Sequence, residues 1–144
     1  MEVKNYPAYW AGKKLAYPYV PPEHPKFSES VVVGNLIFVS GCEGQNNETL
    51  EIPSTFEQQM INALDKMRKA MENAGSQMNN IIKTLMLLKK LEDYPRMRKI
   101  ELEYYQKHAP FLVENPPAST IIVVVDLAEH EFLIEIDAIG VIKR

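Results

Sequence analysis

Residues 116–142 constrain the fold more than any other stretch. They read P-P-A-S-T-I-I-V-V-V-D-L, then A-E-H-E, then F-L-I-E-I-D-A-I-G-V-I. Two runs dense in isoleucine and valine are separated by a polar turn. Near-continuous apolar runs of this kind predict strands buried on both faces, or nearly so. Into the second run the chain places Glu135, between Ile134 and Ile136. Two readings follow. Strand alternation would send Glu135 and Asp137 to water. A carboxylate among apolar neighbours would instead carry a raised pKa and mark a site.

The remaining 117 or so positions must therefore supply partners for two strands, and the length allows it. A chain of 144 residues, 46% apolar and 24% charged, suits one domain with a core that needs neither disulfide nor metal. The net charge of −3 gives no electrostatic footprint for nucleic acid. The lone cysteine, Cys42, excludes an internal disulfide and fits a reducing compartment. His24, His108 and His130 stand apart, so no metal-ligand spacing appears. No stretch is long and apolar enough for a signal peptide or a membrane span. The expectation is a cytoplasmic protein with no cofactor, no metal, no nucleic acid and no membrane contact.

Residues 1–26 hold five prolines and four tyrosines together with Trp10. Proline fixes φ and biases the preceding residue to extended backbone, so this is an arm rather than a helix. Its aromatic content suggests packing on the protein body or on a neighbouring subunit, with ligand contact the alternative. Residues 27–144 form the main domain. There S-E-S-V-V-V-G-N-L-I-F-V-S-G predicts a hairpin about a tight Gly34-Asn35 turn, closed by Gly41. Ser54-Thr55-Phe56-Glu57 has the pattern of a capping box. Phe56, Met60, Leu64, Met67 and Met71 then recur at helical spacing, a stripe read as core filling. Gly75 stops that helix, and I-I-K-T-L-M-L-L (81–88) predicts the next buried strand. Asp93-Tyr94-Pro95 opens a second helix, the acid as its cap. Met97, Ile100, Tyr104 and Tyr105 should face inward, with Arg96, Lys99, Glu101 and Glu103 solvated. The order is hairpin, helix, strand, helix and two strands: an α+β domain, a mixed sheet with two helices packed on one face.

With these segments in order, the chain resembles the Rid (YjgF-type, reactive intermediate/imine deaminase) family from about Phe27 to Ile142. The resemblance rests on the hairpin segment, the A-L…A-G helix end at 63–75, I-I-K-T-L-M-L-L followed by D-Y, N-P-P-A-S-T, and the I-E-I-D-A strand. It implies a chorismate-mutase-like homotrimer with ligand clefts between subunits. It also implies cofactor-free hydrolysis of enamines and imines. The family's cleft glutamate, in I-E-I-E, matches Glu135, and the glycine of its V-S-G segment matches Gly41. Its substrate-gripping arginine, in P-A-R-S/T, matches Ser119. Its usual tyrosine falls at Phe27, and a residue that is often asparagine falls at Arg98.

The missing arginine matters because a serine hydroxyl carries no charge and cannot form the planar two-pronged grip on a carboxylate. A charge-assisted pair is worth roughly 1.5–3 kcal/mol. Arg98 is either a relocated cation or an ordinary surface arginine. Cys42, next to Gly41, either lines the cleft or is a buried inert thiol. Two functions follow: a hydrolytic deaminase of an enamine or imine metabolite using Glu135, or a non-catalytic trimer that binds a small molecule or has a regulatory role. Ribonuclease activity is disfavoured, as there is no basic stripe.

Overall fold

In the computed structural model, residues 1–19 and 22–144 are described; Val20 and Pro21 of the arm lie outside them. The strands are β1 (Val3–Pro7), β2 (Tyr9–Trp10), β3 (Lys13–Lys14), β4 (Ser28–Val33), β5 (Leu36–Glu43), β6 (Ile81–Leu88), β7 (Ala118–Val123) and β8 (Ile134–Val141). The helices are α1 (Phe56–Asn73), α2 (Tyr94–His108) and the single turn α3 (Phe111–Glu114).

The main sheet runs β1-β4-β5-β8-β6-β7, and β2 pairs only with β3. Every neighbouring pair in it is antiparallel except β6–β7, which is parallel. A parallel pair needs a crossover rather than a hairpin, and residues 89–117, carrying α2 and α3, supply it. Helix α1 packs on β5 and β8, with α2 beside it. This is the mixed sheet with helices on one face that the sequence implies.

The methionine stripe is core. Met60, Leu64, Met67 and Met71 are fully buried against Ile37, Ile134, Ile136, Met86 and Leu88. Strand alternation then decides the opposite, outer face. In register across it lie Val31, Phe38 and Ile139, then Val33, Leu36 and Val141. Leu87 lies between Ile122 and Glu135. Leu36, Phe38 and Ile122 are each exposed by two-fifths or more. One face of the sheet is thus closed by helices and the other is left apolar.

Several local expectations change. The cap of α1 is Thr55 rather than Ser54: its hydroxyl accepts from the Gln58 amide at 3.3 Å. Thr55-x-x-Gln58 satisfies the same motif one residue on, which lets Phe56 enter the core at the first helical position. At the other end Ser76 N–H reaches Met71 O and Gly75 N–H reaches Glu72 O, a Schellman closure that needs the positive φ of Gly75. Asp93 does not cap α2 with its side chain; the buried carboxylate accepts from Arg96 instead. Glu101, expected in solvent, is buried. The first Ile/Val run, expected to be covered on both faces, forms the edge strand β7 and is mostly exposed in the single chain. The N-terminal segment enters the sheet as its other edge through β1, and Tyr6 packs against the core.

Candidate functional site

The pairing of β5 with β8 slips by one residue. Val39 faces Ala138, yet Cys42 faces Ile136, so Ser40 and Gly41 together oppose Asp137. A bulge of this kind bends the strand and re-aims its residues. Here it brings the Gly41 backbone under the Glu135 carboxylate: a Cβ built on Gly41 would lie 2.0 Å from Glu135 Oε1. Only glycine permits that approach.

Glu43 stands directly across from Glu135. Like charges in that relation repel, and Lys66 of α1 answers one of them, its Nζ 2.8 Å from Glu43 Oε1. Glu135 is half-buried, and burial is the main cause that raises its pKa. Glu43 and Asp137 push the same way and Lys66 opposes them. Burial also raises the pKa of Asp137. A carboxylic acid moved upward from its ordinary range is better matched to proton transfer near neutral pH.

A cleft of about 50 Å³ opens beside Gly41, its walls including Trp10, Phe27, Ser40, Cys42 and Lys66. Cys42 belongs to the core as well: its thiol donates to Ser40 O at 3.3 Å, and burial pushes its pKa up, so it stays a neutral thiol. A larger polar hollow of about 280 Å³ lies on the far side of Lys66, among Asn46, Asn62, Asp65 and Lys69. Gly41 does not line it, and Glu135 lines neither hollow. We place the chemistry at the smaller cleft because Gly41, against which the Glu135 carboxylate lies, is part of its wall.

Arg98 and Ser119 meet elsewhere. The Arg98 guanidinium donates to Ser119 Oγ at 3.0 Å, to Glu101 Oε1 at 2.7 Å and to Tyr94 Oη at 3.4 Å. Burial raises the Glu101 pKa and Arg98 opposes that shift. Ser119 is in register with Thr84, which is fully buried under the helices, whereas Glu135 is in register with Leu87 on the outer face. Within one chain the two groups therefore sit on opposite faces of the sheet. The structure brings Phe27, Gly41, Cys42 and Glu135 together, and separately Arg98 and Ser119.

Sequence reasoning missed three contributors. Lys66 and Glu43 pair across 23 positions, and nothing local signals such a contact. Gln59, fully buried, donates to Pro53 O and Glu131 O and accepts from Leu133 N–H, which clamps the loop entering β8. A polar residue inside the α1 stripe was the one available hint of this. Among the described residues, no three His, Cys, Asp or Glu side chains are grouped to hold a metal ion, and no helix is long and apolar enough to cross a membrane.

Residues 20–142 match the family model described as Endoribonuclease L-PSP. The chain belongs to that family, the YjgF/Rid proteins. Among its relatives, the 2-iminobutanoate/2-iminopropanoate deaminase of Escherichia coli K12 is 29% identical over 130 residues, covering 90% of this chain and 97% of that one. A RutC family protein of Pyrococcus abyssi is 29% identical over 115 residues, covering 79% and 84% respectively. Among solved structures, the YjgF gene product of E. coli superimposes with a TM-score of 0.74 at 28% identity, over 92% of this chain and 99% of that one.

Proposed function

We propose that this YjgF/Rid protein is a hydrolytic deaminase of imine or enamine metabolites, working at clefts between the subunits of a homotrimer. The observation that carries the reading is Glu135, half-buried with a raised pKa and set against the Gly41 backbone on the outer sheet face. The name of the E. coli relative points the same way.

In this reading the Glu135 carboxylate takes a proton from water as the water oxygen bonds to the imine carbon, and passes that proton to the imine nitrogen to give a neutral carbinolamine. The carbinolamine hydroxyl then gives its proton to Glu135, which delivers it to the nitrogen as the C–N bond breaks and the C=O bond forms, so that ammonia leaves and the carboxylate is regenerated. The Gly41 segment aligns the ligand against Glu135. No step needs a metal or an organic cofactor.

The trimer is supported by the outer face, where Leu36, Phe38 and Ile122 stay exposed on the same face of the sheet as Glu135. A soluble chain rarely leaves a contiguous apolar sheet face in water. Arg98, held by Ser119 and Glu101 on the other face, does not grip a carboxylate for the Glu135 of its own chain. Ser119 offers no charge to hold a carboxylate, so substrates without one are expected to react better than 2-imino acids.

The test is ammonia release from a panel of imines, with and without a carboxylate, generated in situ by an amine or amino-acid oxidase. Acceleration by the wild type that disappears in Glu135→Gln supports the reading. A wild type with no effect on any member overturns it and leaves the non-catalytic binding role, for which the missing arginine at Ser119 argues.

A further inference from the structure

The cleft beside Gly41 has a wall that the family match does not cover. Matching begins at residue 20, whereas Trp10 lies on the β2–β3 hairpin. That hairpin is built about Ala11-Gly12, with Trp10 opposite Lys13. Both turn residues have positive φ, +49° at Ala11 and +74° at Gly12, the two-residue turn whose twist suits a hairpin. Ala11 is not a glycine, and a left-handed alanine costs about 1–2 kcal/mol. Backbone held so must be over-determined by its surroundings.

The surroundings are on the page. Ala11 N–H bonds to Asn47 O at 2.6 Å, which ties the turn to the loop after β5, and Leu15 N–H bonds to Ala8 O at 2.8 Å. Ala8 is itself buried. Tyr17 N–H and Lys26 N–H carry the fastening along the arm, to His24 O and Leu15 O. The hairpin is therefore a fixed wall. Trp10, half-buried, lines the cleft together with Gly41 and Lys66.

With the wall in place the free volume is about 50 Å³. A water-sized group needs at least about 10–15 Å³ on this measure, so the cleft takes only about three to five heavy atoms.

We infer that Trp10 is a specificity-determining residue of this cleft: it limits the substituent on the reacting carbon to a short aliphatic group and rejects aromatic or branched ones. The inference deepens the deaminase reading and rests on it for the reaction. The size limit itself rests on the cleft alone, so the two fail separately.

The experiment uses the full chain, labelled with nitrogen-15, and follows the Gly41 amide resonance during titration with two neutral, unreactive amides, propanamide and 3-phenylpropanamide. The wild type is expected to bind propanamide at least tenfold more tightly. Trp10→Ala is expected to bring the two within threefold, and Trp10→Phe to keep most of the preference, with melting curves confirming that both variants fold. Equal affinities in the wild type, a preference that survives Trp10→Ala, or no shift of Gly41 with either amide would each overturn the proposal. In the ammonia assay the ratio of kcat/KM for benzyl- over methyl-substituted imines should rise at least tenfold in Trp10→Ala. If no imine reacts while the amide preference holds, the deaminase reading falls and the role of Trp10 stands.

Discussion

Strands β7 and β8 come from two runs of nearly the same composition, yet they have opposite fates. Strand β8 lies between β5 and β6 and buries Ile134, Ile136 and Ala138 beneath α1. Strand β7 has β6 as its one neighbour and leaves Ile122 and Val123 nearly half exposed. The candidate catalytic group is on the central strand, and Ser119 is on the edge. Strands on both sides of β8 exclude water from Glu135 and so hold its carboxylate half-buried with a raised pKa. An edge strand offers its surface to another molecule instead, which is where an oligomer would cover it.

The largest expected effect lies on the central strand. Glu135→Gln should lower kcat/KM for a reactive imine by about 10²–10⁴-fold, the usual worth of a general acid–base group. Activity above about a tenth of wild type would remove Glu135 from that role. The next effect sets the strands against each other in stability. Ile136→Ala should cost about 2–5 kcal/mol through loss of burial and a cavity. Ile122→Ala in an isolated chain should cost well under that, and its cost should grow with protein concentration if the edge is covered by another subunit. Light scattering that gives 16.5 kDa at micromolar concentration would break the oligomer half of the comparison.

A smaller effect is expected behind β7. Arg98→Ala leaves the Glu101 carboxylate buried without its partner. Because Arg98 is itself one-third exposed, the loss should be about 1–2 kcal/mol rather than that of a fully buried pair. An unchanged denaturant midpoint would show that the Arg98–Ser119 contact bears no weight.

The smallest effect is the pH dependence of Glu135. Its folded-state pKa is raised, so the folded chain holds this proton more tightly than the unfolded one. The corresponding stabilisation is present at low pH and is lost as pH rises from the ordinary glutamate value through the raised one. Glu135→Gln should therefore flatten the fall in stability over that window. Urea titrations of both proteins across pH 4–8 (roughly the span above the ordinary carboxylate value) should show it; parallel curves would mean that the group is not perturbed.

Much of this architecture was legible in local sequence. The Gly34-Asn35 turn, the α1 stripe and the stop at Gly75 each depend on residues within a few positions of one another, and each formed where the spacing predicts. The caps show the limit even of local reading. Asp93 has the chemistry of a cap, but Arg96 one turn on competes for its carboxylate and wins. Glu101 looked solvated by helical phase; Arg98 makes its burial tolerable.

By itself the sequence determined strands β4 to β8 and helices α1 and α2, and it flagged Glu135, because periodicity and apolar flanks are properties of neighbours along the chain. The tertiary structure alone decided which Ile/Val run became central and which became an edge. It also decided that a bulge would set Gly41 beneath Glu135, and that Lys66 would answer Glu43 and Trp10 would wall the cleft. Each of these depends on pairing between segments distant in sequence. Register and face are chosen by the whole sheet, and a slip of one residue exchanges its two faces.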